Sequence, residues 1–148
     1  MTRSQFKVKT AARLLLGAIF TVFGLNGFFH FLPAPAPTGA AAAYVGGLVA
    51  SGYMFPLIKG TEVAVGLLLL SNRFVPLALT ILAPIVVNIV AFHAFLAPAG
   101  LGLPILVTAL GVYLATTERA IFAPFFHAKS NEAVPPSERT GAHAPAHA

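Results

Sequence analysis

Two charged residues three positions apart, Lys59 and Glu62, stand inside Tyr53–Asn72 (YMFPLIKGTEVAVGLLLLSN), where almost every neighbour is apolar. A charged residue at the centre of a membrane helix costs about 2.5–3.5 kcal/mol to insert. Chains keep such residues where they face protein and find partners. A spacing of three puts Lys59 and Glu62 on one helix face, within reach of each other. Two further apolar runs carry polar side chains, Asn26 and His30 in one, Asn88 and His93 in the other.

These residue types admit three chemistries. Glu62 is a candidate proton-transfer group. A quinone or similar head group could be hydrogen-bonded by His30, Lys59, Glu62 and Asn88, with Asn26 and His93 shaping the pocket. Histidines His30 and His93 could also be axial ligands to a b-type haem, although histidine alone at such a depth is weak ground for haem. Plainer roles stand beside each of these. The ion pair can simply fix helix packing, the histidines can sit wetted at an interface, and Asn26 can make an interhelical hydrogen bond. No metal site and no established catalytic residue is assigned.

The composition sets the solvent. The chain has 148 residues, 57% of them hydrophobic and 9% charged, with a mean hydropathy of +0.85. Soluble domains carry about 25% charged residues, so most of this chain is expected to face lipid. Its formal net charge is +5, but the basic residues are not clustered with aromatics, and nucleic acid is not an expected partner. With no cysteine, the chain itself offers no disulfide, thiol chemistry, cysteine-ligated cluster or covalently attached haem.

The elements that must position the polar residues follow from the apolar runs. Residues 1–10 read as a short basic cytoplasmic leader. Ala11–Leu32 is long enough to span, since about 20 apolar residues cross the hydrocarbon. Prolines in Pro33–Thr38 stop it. Gly39–Ser51 is too short to cross and reads as a re-entrant or interfacial helix. Helix 2 follows over Tyr53–Asn72, with Pro56 in its first turn. Phe74–Leu96 is helix 3, kinked at Pro84, whose freed carbonyl needs a partner in lipid and so argues for a protein-covered face. Leu103–Thr117 is helix 4. An interfacial aromatic segment is expected over residues 121–128 and a disordered cytoplasmic tail over 129–148. The expectation is therefore an all-α fold, a bundle of four transmembrane helices over residues 11–120.

Charge sets the orientation. Arg3, Lys7, Lys9, Arg13, Arg73, Arg119, Lys129 and Arg139 all fall on one side of four spans, whereas the 1–2 and 3–4 connections carry no Lys or Arg. Positive charge favours the cytoplasm, so both termini are expected there, with the protein in the plasma (inner) membrane. At about 1.5 Å per residue, Asn26 and Asn88 lie roughly 20 Å above the cytoplasmic ends of their helices. Lys59 falls near that level, which makes a shared polar cluster in the outer half of the bilayer plausible.

Three segments, RLLLGAIFTVFGLNGFFHF, GYMFPLIKGTEVAVGLLLL and NRFVPLALTILAPIVVNIVAFHAFL, together resemble the DoxX-like family of small four-helix membrane proteins. The resemblance covers about residues 11–118. It implies an accessory or quinone-interacting subunit of a membrane redox system rather than a stand-alone enzyme, with membrane or peripheral oxidoreductase subunits, or further copies of the chain, as partners. The alternative is a non-catalytic scaffold whose buried polar residues only hold helices together.

Overall fold

In the computed structural model, which describes residues 2–33 and 35–122, every regular element is helical. The helices are α1 (Arg3–Phe29), α2 (Gly39–Ala50), α3 (Met54–Leu70), α4 (Val75–Phe95), α5 (Gly102–Thr117) and α6 (Arg119–Phe122), with a 3-10 turn at Pro98–Gly100. Helix α1 packs along α3, α3 and α5 each pack on α4, and α5 returns to α1. Four helices thus close a ring.

Helices α1 and α4 are long and apolar enough to cross a membrane. Helices α2 and α3 meet that test only as a pair, bent by 89° at the break between them, and α5 is a shorter apolar helix. The chain therefore has the character of a membrane protein.

Helix α1 starts at Arg3 rather than at Ala11, so the expected leader is its first two turns. A capping box accounts for this. Thr2 accepts from the Gln5 backbone N–H, and the Gln5 side chain accepts from the Thr2 N–H at 2.8 Å, satisfying two of the donors a helix start leaves open. At the other end α1 stops at Phe29, short of the expected Leu32. His30 takes a left-handed conformation (φ 51°), and its N–H donates to the Asn26 carbonyl at 2.9 Å.

The core sits at the end of the ring that carries Thr2, the α3–α4 turn and Thr117, here called the basic end. Its buried side chains include Leu16 and Phe20 of α1, Val65 and Leu69 of α3, Ala78 and Leu82 of α4, and Leu114 of α5. On α4 the buried positions Val75, Ala78, Leu79 and Leu82 follow the helical spacing of one stripe. All four precede Pro84. From Ala83 onward no described α4 residue is buried. Pro84 itself is exposed, so the face expected to be covered by protein is uncovered in the single chain.

The basic end also holds a residue whose role the sequence did not disclose. Arg13, one of the charges taken to mark the cytoplasmic side, is buried at 8% exposure. Its guanidinium donates across to α3, to the carbonyl of Leu69 and, at 3.1 Å, to that of Leu70. The rest of that helix end is satisfied locally. Ser71 N–H bonds Leu67, Arg73 N–H bonds Leu68 and Asn72 N–H bonds Leu69, with Asn72 left-handed at φ 56°. That is the Schellman arrangement, and Arg13 supplies the donor it leaves out, for Leu70. Cation and helix C-terminus also attract each other electrostatically. Replacing Arg13 with Met keeps the stem but removes the donors. We expect this to cost about 1.5–3 kcal/mol, read as a lowered unfolding transition in mild detergent, with Arg13→Lys intermediate.

Beside it, Lys9 of α1 pairs with Glu118, just past α5, at 2.5 Å. This contact places the start of α1 and the end of α5 on the same side of the ring. The aromatic segment expected after Ile121 lies, beyond Phe122, outside the described residues, as does the tail.

Candidate functional site

Lys59 and Glu62 do pair. The Lys59 ammonium donates to Glu62 Oε2 at 2.8 Å, with side-chain exposures of 23% and 4%. Local helix geometry puts the two on one face of α3, and that face is turned toward α1. There α1 presents glycines. A Cβ at Gly27 would sit 2.6 Å from Lys59 Cδ, and one at Gly24 would sit 3.1 Å from Glu62 Cβ and 3.0 Å from the Val63 nitrogen. The glycines of α1 therefore make room for the lysine stem and for the helix turn carrying the carboxylate. On its open side the ammonium lies 5.9 Å from the Phe55 ring, within the range of a cation–π contact. The ion pair, the ring and the α1 glycines thus hold the two residues between their own helix and α1.

Asn26, a candidate for an interhelical bond or a ligand contact, bonds within its own chain. Its side-chain oxygen accepts from the Leu32 backbone N–H at 2.6 Å, so it ties down the chain that leaves α1. His30 is the left-handed cap residue and is exposed. The capping of α1 uses both residues, which is a sufficient reason for a polar pair four positions apart at a helix end.

Asn88 and His93 belong to a different neighbourhood. Tyr44 of α2 donates its hydroxyl to Asn88 Oδ1 at 2.9 Å. The Tyr44 ring lies 5.5 Å from that of Phe92, and Phe92 meets His93 edge-on at 5.2 Å. His93 Nδ1 lies 2.8 Å from the Ile89 carbonyl. A carbonyl only accepts, so Nδ1 carries the hydrogen and Nε2 holds the lone pair of the neutral ring. That nitrogen packs against the Pro98–Gly100 turn, where a Cβ on Gly100 would lie 3.0 Å away. Gly100 of that turn lies over the edge of the ring that an axial haem ligand would present to iron.

Among the described residues, no hydrogen bond or ion pair joins the Asn26–His30 cap, the Lys59–Glu62 pair and the Asn88–His93 neighbourhood to one another. The single polar cluster suggested by matching depths is therefore three local arrangements. Depth along a helix was legible, but azimuth was not. Tyr44, the partner of Asn88, was missed because it sits in an Ala/Gly-rich segment with no periodic pattern. Its one signal was being the lone polar-tipped aromatic of that helix.

The helices leave an apolar cleft of about 410 Å³, lined by Leu79, Ala83 and Val86 of α4, Val107 and Gly111 of α5, and Phe122. At 100° per residue, Asn88 falls on the opposite side of α4 from the middle of that lining. Glu62 and Lys59 are not in the lining either. The cleft and the polar residues do not form one site. Compared with family models, with curated proteins and with solved structures, the chain matches none.

Proposed function

We propose that the chain is a four-span integral protein of the plasma membrane, both termini cytoplasmic, acting as a non-catalytic accessory subunit of a membrane assembly. In this reading α1, the bent α2–α3 unit, α4 and α5 are the crossings. Helix α5 has 16 residues, about 24 Å at the usual rise; α6 and the 3-10 turn flank it. The observation that supports a scaffold over a catalyst is the closure of Lys59–Glu62 against Gly24 and Gly27 of α1. A carboxylate that moves protons to a substrate needs a route to it, and this one is 3% exposed and held by Lys59. The association with redox partners rests on the resemblance to DoxX-like proteins.

One observation favours a quinone-interacting form of the same role. His93 is half-buried beside the Pro98–Gly100 turn, and its ring nitrogen away from the Ile89 carbonyl could hydrogen-bond a quinone head group if the turn moved. Native mass spectrometry of the protein, extracted gently from its own membrane, tests both forms. A stoichiometric oxidoreductase partner without quinone supports the accessory subunit. A co-purifying quinone that disappears in His93→Leu supports the second form. A bare protein, where a quinone-binding control keeps its ligand and a known complex stays intact, counts against both.

A further inference from the structure

Helix α4 shows the bilayer a face with a second pattern laid over its buried stripe. Leu77, Ile81, Pro84, Asn88, Ala91 and Phe95 recur at alternating steps of four and three residues. This is the spacing of a seam at which two helices pack side by side. The seam is open in the single chain. Leu77 is 52% exposed, Ile81 38% and Phe95 84%, and Pro84 and Asn88 are exposed as well. Apolar side chains alone on such a face would need nothing but lipid.

Two polar groups on the seam do need more. Tyr44 occupies Asn88 Oδ1, yet both hydrogens of the Asn88 amide nitrogen are left without an acceptor among the described residues. One turn below, Pro84 has no N–H, so the Thr80 carbonyl loses its usual helical donor. Hydrocarbon cannot satisfy either group, and an unmet polar group there costs several kcal/mol.

We propose that a second copy of this chain covers the seam, α4 against α4 about a two-fold axis along the membrane normal, with the Asn88 side chains bonded reciprocally. The choice of a second copy follows from the chemistry of the seam. Copies inserted in one orientation carry Asn88 at one depth, so the axis brings amide to amide. A carboxamide is both donor and acceptor, and Oδ1 retains a lone pair beside the one used by Tyr44. Each Asn88 therefore donates to the other with no further residue required. A lone Asn in an otherwise apolar seam also fixes register and pairing, and interhelical hydrogen bonds of this kind stabilise membrane helix pairs. At 100° per residue, the seam lies on the opposite side of α4 from its buried stripe of Val75, Ala78, Leu79 and Leu82.

The chain has no cysteine of its own, which makes single-cysteine crosslinking in native membranes the direct test. Cysteines replacing Leu77, Ile81, Ala91 or Phe95 are expected to form disulfide dimers of twice the chain mass. Cysteines replacing Val87 or Val112, exposed but off the seam, are expected to remain monomeric. Asn88→Leu in the Ala91→Cys background should weaken dimer formation about three- to thirtyfold, while Asn88→Gln keeps it. Uniform crosslinking around α4, no crosslinking at any seam position, or a product whose mass is not twice that of the chain overturns the proposal. A chain that fails to co-sediment with membranes overturns the membrane reading itself; an inserted monomer overturns only the dimer.

Discussion

Replacing Lys59 with Leu is expected to lower stability by about 3–5 kcal/mol, because it leaves the Glu62 carboxylate buried and unpaired. Glu62 is 3% exposed, and Lys59 is its one hydrogen-bond partner. The double variant, with both residues changed to Leu, should recover most of that loss, since a buried ion pair exchanged for apolar side chains is often neutral. Reversible unfolding in mixed micelles measures both variants. Recovery in the double variant identifies the pair as a packing device. A double variant that folds as well as wild type but abolishes a redox phenotype would instead assign the carboxylate a functional role, and the scaffold reading would then fail. Glu62→Gln adds a finer comparison, because it keeps an acceptor for the ammonium while removing the charge.

Gly66→Ala should be nearly as damaging, at about 1–3 kcal/mol. A Cβ there would fall 2.7 Å from the Thr21 nitrogen and 2.9 Å from the Gly17 carbonyl, besides meeting the Thr21 hydroxyl. Two of these obstacles are backbone, which no rotamer change can move aside, so α1 and α3 must separate. Thr21 Oγ1 is already buried there without a hydrogen-bond partner, a sign of how closely the helices approach. Gly60→Ala and Gly111→Ala are the controls. An added Cβ at either meets nothing within 4 Å, and both should unfold at or slightly above the wild-type temperature, since alanine favours a helix more than glycine does. Thermal unfolding in detergent separates the two classes. Equal losses at all three sites would mean that the close approach of α1 to α3 does not set the effect, since helix propensity alone favours alanine over glycine.

These controls mark what the sequence conveyed and what it withheld. Apolar runs and prolines located every long helix to within a few residues, except at the start of α1. There the Thr2–Gln5 capping box continues the helix through residues that composition alone reads as a leader. The Lys59–Glu62 pair was legible because both residues lie on one helix, where spacing fixes direction. Contacts between helices were not legible. Whether Gly66 meets α1 and Gly60 meets nothing depends on how α3 is rotated, and glycines in apolar helices look alike in a sequence. Arg13 was hidden for a related reason. A basic residue near the start of an apolar run serves topology equally well whether it faces water or caps a neighbouring helix.

The pairing of Lys59 with Glu62 inside one helix bears on how the protein is made. Two opposite charges three positions apart meet as soon as their own turn of α3 winds, before any other segment arrives. The helix can then leave the insertion machinery as an electrically neutral rod, without waiting for α1 to shelter a bare ion. Had the partners stood on separate helices, each would have had to cross as a charge, and biosynthesis would have depended on the order in which they met.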